Sequence, residues 1–486
     1  MADEENFTET NFQSEQAFQE EPEAFEKNEV LASPTLVEVD DELITEFREL
    51  IQLHSVSVLT NLLLDLYPAD IAHLINRLNN DEAGYLFNLL DADAGSQVIT
   101  MIDETHRTSL YELLGRNRLS SLINKLDSDD ATDLVSEMPA LIAEQVLEGL
   151  DKPSQSEVQE LLQYDPSTAG GIMAKEFLAV QANDTVHRAI QAVRKAAKTV
   201  KDIFLLFVVD ESGKIVGEVQ IKDLLLHTPN RRIRNIMNRD VITANVFLDQ
   251  EEVARLFKKY DLVVLPVVRL DGTLVGKITV DDVVDVMEEE ASEDMYRMVG
   301  SDASEIEKKS PFDVAKMRIP WLLASMGLSL CSGIIISFFN ETLTRVILLA
   351  SFMPVISAIS GNTGLQAAVI ITRGLALGYI SPSQWRKAWW KEMRTVGLMA
   401  IVCAIVLGFV ASLWSKHLSF GVVVGSSMFL SMSTAGTMGT LMPLLSKRLG
   451  FDPAITAGPF ETTFQDVIGI SIFLGLSTYL LSWISS

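Results

Sequence analysis

Cysteine is scarce. The 486 residues hold two, Cys331 and Cys403, both inside apolar segments. They offer no disulfide framework and read as small hydrophobes. Histidine is nearly as sparse, six in all, with no HExxH or other metal-ligand spacing. No P-loop occurs, so nothing in the chain signals ATP hydrolysis. The first residues are acidic and polar instead of forming a basic-then-apolar leader, which predicts that the first half stays in the cytoplasm. Positive charge is also in deficit: 39 Lys/Arg stand against 66 Asp/Glu, a net of −27. So acidic a surface disfavours nucleic acid and attracts cations; the plain alternative is a solvated, self-repelling face.

What is present is uneven. From Ile319 onward nine Lys/Arg face five Asp/Glu, a net of +4, so the preceding part carries −31. An acidic soluble half therefore precedes a slightly basic, apolar half. Residues 1–38, rich in Glu, Gln and Asn, read as a disordered acidic tail. Over 39–165 the apolar residues follow helical spacing. LYPADIAHLINRL (66–78) and LDSDDATDLVSEM (126–138) echo each other, each with an Asp near a helix start where it can cap free N–H groups.

From Gly170 two segments of roughly sixty residues repeat. GIMAKEFLAVQANDTVHRAIQAV leads to IFLLFVVDESGKIVGEVQIKDLLL; NIMNRDVITANVFLDQEEVARLF leads to LVVLPVVRLDGTLVGKITVDDVVDVM. Each reads as strand, helix, β-hairpin turning at Ser212-Gly213 or Asp271-Gly272, then helix. This resembles a tandem pair of cystathionine-β-synthase (CBS) modules over 166–295. The resemblance implies one adenine-nucleotide (ATP) site, because its ribose-contact pattern occurs as Thr279 and Asp282; the first copy has Gln220 and Asp223. Plain packing is the alternative. A charged helix, a break and a second helix follow, with 296–318 read as a connecting helix that feeds the apolar half.

Five hydrophobic spans are expected near 319–339, 344–371, 395–415, 420–445 and 455–484, within a membrane domain of 319–486. Basic residues concentrate between spans two and three (Arg373, Arg386, Lys387, Lys391, Arg394) and between four and five (Lys447, Arg448). The positive-inside rule then puts the N-terminus in the cytoplasm and the C-terminus outside, in the cell (inner) membrane. Pro354 and SGNTG (360–364) predict a break in the second span, with carbonyls freed toward a cavity. Asp466 lies deep in the fifth. A carboxylate at that depth costs roughly 2.5–3.5 kcal/mol and persists where it faces a partner or a water-filled path. Its neighbours Thr462, Thr463, Gly469 and Ser471 are small or hydroxylated, as the wall of a cation pathway would be. Glu461 either adds a second carboxylate to that path or sits near the inner mouth, bonded to Thr462.

GTMGTLMPLLSKRLG (436–450), GFDPA (450–454) and GPFETTFQD (458–466), in this order after the CBS pair, resemble the MgtE family of magnesium channels and transporters. The resemblance implies a multidomain membrane protein: an α-helical N-domain, tandem α/β CBS modules, a connecting helix and five transmembrane helices. It implies a homodimer in the lipid membrane with the pore on its two-fold axis. Asp466 is then the central ion ligand, and Asn362, Ala454, Gly458 and Glu461 join the pore lining. Some relatives carry Asn where this chain has Gly458.

Asp129, Asp130 and Asp133 share one helical turn; Asp281, Asp282 and Asp285 open another helix, followed by Glu288, Glu289, Glu290, Glu293 and Asp294. Such acids repel without a counter-ion. The resemblance implies that Asp129, Asp133, Asp282, Asp285, Glu290, Glu293 and Asp294 hold regulatory Mg2+. The chain therefore reads as a Mg2+ channel, not an enzyme, closed by internal Mg2+. A Co2+ or Mn2+ transporter is the alternative. An intramembrane metalloprotease would need zinc ligands, and the spans contain no histidine.

Overall fold

A computed structural model describes residues 39–197, 200, 203–301 and 310–480. The tail expected over 1–38 lies outside them. Residues 39–125 form one compact unit and the described residues from 126 onward a second. This division falls inside the stretch 39–165 expected as one helical domain.

The first unit holds seven helices among its described residues, from α1 (Asp41–Gln52) to α7 (Arg116–Ile123). Local chemistry starts them. The Asp40 carboxylate accepts from Leu43 N at 2.8 Å, and Asn79 with Glu82 closes a capping box on α4 (Asn80–Phe87). One face of each helix meets a core that includes Phe47, Leu59, Leu74, Leu86 and Phe87.

The second unit begins with α8 (Ser128–Glu137), α9 (Ala140–Gly149) and α10 (Lys152–Leu161). Its first turn is capped from two sides. Asp127, at the cap position, makes no side-chain bond, but Asp129 Oδ1 accepts from Asp130 N at 2.9 Å, and Glu176, 48 residues on, accepts from Ser128 N at 3.1 Å and from Ser128 Oγ at 2.9 Å. Lys175 N donates to that same hydroxyl at 2.8 Å. Leu161 of α10 packs with Met173, Val253 and Ile278. These ties explain why α8–α10 belong with the modules that follow.

The two repeats fold alike. In the first, β1 (Ala179–Gln181) runs parallel to β2 (Leu205–Val209), which pairs antiparallel with β3 (Ile215–Gln220). Helices α11 (Val186–Ala196) and α12 (Ile221–Leu226) complete it. In the second, β4 (Ala244–Asn245), β5 (Val264–Val268) and β6 (Leu274–Thr279) repeat the order, with α13 (Gln250–Tyr260) and α14 (Val280–Met298). The hairpin glycines sit where expected, Gly213 at φ 78° and Gly272 at φ 86°. The hairpins also grip each other: Leu274 N donates to Gly213 O at 3.1 Å and Ile215 N to Gly272 O at 3.3 Å.

The charged helix, break and second helix expected here are found, so the stretch 296–318 read as the connecting helix holds the end of one helix and the start of the next. Helix α14 carries the second module's chain to Met298 and ends near Gly300 at φ 72°. A new helix, α15 (Pro311–Phe338), starts with proline in its first turn and continues through the first apolar span.

The apolar half continues with α16 (Asn340–Arg345), α17 (Met353–Ala376), α18 (Trp385–Ser415), α19 (Leu418–Leu449), α20 (Pro453–Thr456) and α21 (Pro459–Tyr479). Among the described residues four helical stretches are long and apolar enough to cross a membrane: 311–338, 347–376, 382–415 and 418–449. Helix α21, 21 residues long, carries two acids, Glu461 and Asp466. Of the two expected breaks in the second span, the one at Pro354 is present: a 3-10 segment, Ile347–Ser351, ends at Phe352, and α17 starts anew with Pro354 in its first turn. The one at SGNTG is absent, and that stretch continues as α-helix. Its glycines serve close packing instead. A Cβ added at Gly439 of α19 would lie 2.2 Å from Gly364 O. Gly439→Ala should therefore force α17 and α19 apart and cost about 1–3 kcal/mol or more. Thermal unfolding of the detergent-solubilised variant checks this, and an unchanged melting temperature would refute the contact.

Candidate functional site

Helix α21 carries two polar faces. Asp466 and Thr462, one turn apart, face α17. Ser357 Oγ donates to Asp466 Oδ1 at 2.5 Å, and a Cβ on Gly361 would touch Thr462 Cγ2 at 3.4 Å. Asp466 is half-buried. On α17 the neighbouring face is open: Ala358, Asn362 and Gln366, spaced by four, are exposed. Two amides on the outer face of an apolar helix call for water or another chain, not hydrocarbon.

Glu461 points elsewhere. Five residues place it about 140° round the helix from Asp466. It is 4% exposed, and neither carboxylate oxygen has a hydrogen-bond partner. Its Oε1 would lie 1.9 Å from a Cβ on Gly364, so the carboxyl occupies the space that glycine leaves. Gln465, one turn further, donates to Ser431 O at 3.2 Å. Glu461 thus sits inside the α17–α19–α21 joint, on a different face from Asp466.

Ala454 and Gly458 are also buried, and the cover is α14. Ala454 is 0% exposed, with its N–H donating to Asp452 Oδ1 at 2.8 Å. A Cβ on Gly458 would lie 2.1 Å from Met298 O, so only glycine admits the end of α14 here. Arg297 secures the contact by pairing with Asp452 and with Glu293.

The acids of α8 and α14 come together. Asp129 faces Asp282, and burial followed by that neighbour and Asp130 holds its carboxyl well above the usual range. Asp133, one turn on, is exposed beside them. The protein around its carboxyl, then Asp130, Glu137 and Glu289, push it up to about 7. Asp282 is raised by burial despite accepting from Thr279 N at 2.9 Å and Thr279 Oγ1 at 2.7 Å. Asp285 and Glu289 are raised by burial, and then by Asp281 and Asp285 respectively.

The remaining expected acids form a second group near α20. Glu290 accepts from Gln250 Nε2 at 2.6 Å. Glu293 is paired with Arg297. Burial, Asp452 and Glu251 raise Asp294 to about 6, opposed by Arg373 and Arg297. Among the described residues no three carboxylates close on one point as a metal-ligand set. Reasoning from sequence passed over Glu251, Arg297 and Asp452 in this group. No spacing signal marks them, because they meet only through packing.

Three family profiles match the chain. One described as "Divalent cation transporter" covers residues 353–476, one described as "MgtE intracellular N domain" covers 66–167, and the CBS domain covers 169–229 and 233–289. A magnesium transporter MgtE from Bacillus subtilis is 31% identical over 438 residues, 90% of this chain and 97% of that relative. Another, from Thermus thermophilus, is 36% identical over 334 residues, 68% of this chain and 74% of that one. The chain belongs to the MgtE family. This is a family of transporters, not of enzymes. A crystal structure of the cytosolic domain of the Mg2+ channel MgtE in complex with ATP is also similar, at 32% identity and a TM-score of 0.48, covering 50% of this chain and 99% of that one.

The raised carboxyls carry a testable sign. A carboxyl raised in the fold favours its protonated form there, so stability is lost as pH climbs from the ordinary carboxylate value through the raised one. For Asp133 that window runs from about 4 to about 7. The metal-free protein should melt at progressively lower temperature across it. Added Mg2+ should restore the loss on the alkaline side and do little on the acid side. Calorimetry of the parent and of Asp129→Asn/Asp133→Asn, in which both trends flatten, checks this. A parent whose melting temperature rises across the window would contradict it.

Proposed function

We propose that this chain is a Mg2+ uptake channel of the cell membrane, working as a homodimer with Asp466 as the ion-binding carboxylate. The observation that carries the reading is the polar face shared by α17 and α21: Asp466, Ser357 and Thr462 beside the open amides Asn362 and Gln366. A two-fold axis along that face would present two such carboxylates and cover the exposed amides. Mg2+ gives up water reluctantly, so hydroxyls, amides and paired carboxylates hold it through its hydration shell. A potential of 100 mV supplies about 4.6 kcal/mol for a divalent ion, enough for inward flow without ATP hydrolysis. The basic loops support a cytoplasmic CBS side by the positive-inside rule. Glu461, facing the joint with Gly364, supports the helices beside the path.

Internal Mg2+ closes the channel by relieving repulsion between Asp129 and Asp133 on α8 and Asp282, Asp285 and Glu289 on α14. The acids form a strip instead of a closed ligand set, which suits a hydrated ion that bridges through its waters. Helix α14 then holds its end against Gly458. Glu290, Glu293 and Asp294 act at that end. The Thr279–Asp282 pair is engaged in the α14 cap and in the acid strip, so Asp282 is assigned to cations before a nucleotide.

Mg2+ flux into proteoliposomes, with internal Mg2+ and potential set separately, tests both halves. Asp466→Ala should abolish flux in a protein that still elutes as a folded oligomer; near-parental flux would remove Asp466 from permeation. Neutralising Asp129, Asp133, Asp282 and Asp285 should leave a channel that conducts at internal Mg2+ concentrations that shut the parent. Competition by Co2+ and Mn2+ in the same assay separates the Mg2+ reading from a broader divalent one.

A further inference from the structure

Helix α13 has two faces. Val253 and Phe257 enter the core of the second CBS module. Glu251, Arg255 and Lys258, at i, i+4 and i+7, form a charged face beside the ends of membrane helices, with Glu251 and Arg255 half-buried there and Lys258 exposed at its edge. Arg255 donates from Nε to Ala376 O at 3.1 Å and from Nη2 to Leu375 O at 3.1 Å. These are carbonyls of the last turn of α17, at its negative dipole end; Leu375 O also accepts from Gly378 N at 3.1 Å. Lys258 Nζ lies 5.2 Å from the ring centre of Tyr379, three residues beyond that end. Glu251 accepts from Arg255 at 3.2 Å and lies 3.4 Å from Lys447 Nζ in the last turn of α19. Glu252 braces the same guanidinium.

We infer that Arg255 is a positioning residue for gating: with Glu251 and Lys447 it clasps the ends of α17 and α19 to the second CBS module. The inference rests on the proposed closure by Mg2+. The clasp runs separately from the contact of Met298 with Gly458, and it acts on the helix that carries Ser357 and Asn362. Its input comes from the acidic cluster. Gln250, beside Glu251, donates to Glu290 of α14, so a movement of α14 reaches α13 through a hydrogen bond of 2.6 Å.

The direction follows from what coexists. The same arrangement holds Asp129 beside Asp282, Met298 on Gly458 and Arg255 on α17. The clasp therefore belongs to the state in which the acids are together, which is the state that bound cations favour. A contact made in one state alone shifts the equilibrium toward that state. Two charge-assisted bonds from a guanidinium partly open to solvent correspond to a shift of about threefold to tenfold.

Patch recordings of the full-length protein, with Mg2+ titrated on the CBS side, test this. Arg255→Ala should need about threefold to tenfold more Mg2+ for half-closure, with unchanged single-channel conductance, because Arg255 is away from the path. Arg255→Lys, which keeps the charge but loses the fork, should fall between. Lys447→Gln leaves α17 capped and should shift closure the same way by a smaller factor; it decides the matter if Arg255→Ala does not fold. Closure of Arg255→Ala and Lys447→Gln at the parental concentration overturns the clasp while leaving the Mg2+ sensor standing. Reduced conductance with no shift in half-closure also overturns it. A parent that ignores Mg2+ on the CBS side overturns both readings.

Discussion

A carboxylate carried on a membrane helix constrains every surface around it. Asp466 cannot face hydrocarbon, so α17 offers it the Ser357 hydroxyl, and the two helices must lie close enough for that bond. Closeness is obtained with glycine. Gly361 meets Thr462, and Gly364 and Gly439 bring α17 and α19 backbone to backbone. The space left at Gly364 receives the second acid of α21, Glu461. One helix thereby sorts its acids, one toward the open amide face of α17 and one into the joint. The same glycines would weaken a soluble helix, but here van der Waals approach and backbone contact supply what hydrophobic burial cannot supply in lipid.

Outside the apolar half the governing quantity is repulsion. Asp129 and Asp282 are half-buried, Asp133, Asp285 and Glu289 lie at the exposed edge beside them, and all five carboxyls are raised by partial desolvation and neighbouring like charge. A structure held in this form stores a preference for protons or cations. Glu176 makes the arrangement possible. It caps α8 at Ser128 from far along the chain, while Asp129 accepts from Asp130 N and stands beside Asp282 of α14.

The two regions meet through short polar contacts. Arg297 joins α14 to Asp452, while Met298 sits on Gly458. Arg255 and Glu251 join α13 to the ends of α17 and α19. Both helices belong to the second CBS module, so that module holds the apolar half at two places. Partly exposed ion pairs of this kind are individually weak, which suits joints that must exchange between states.

Much of this was legible in order along the chain. The paired repeats, their hairpin glycines, the apolar spans and the lone Asp466 are written in local pattern, because strand, turn and span each depend on a few adjacent residues. Glycine misled at SGNTG. Its local meaning is a break, yet a tight three-helix joint requires it, whereas at Pro354 a 3-10 segment does give way to a new helix. The opposed directions of Glu461 and Asp466, the cover that α14 places over Ala454 and Gly458, and the grip of Arg255 on α17 lie beyond any reading of spacing. Each joins residues far apart in the chain, as Arg255 and Ala376 are by 121 positions. Their meeting is decided by which helix faces remain after the cores have packed. Residue type and periodicity, read from the sequence alone, determined that acids, glycines and apolar spans would be present in this order; only tertiary packing decided which acid faces the open amides of α17, which gather between α8 and α14 and which is sealed between helices, because burial and neighbouring charge exist only once distant segments share a surface.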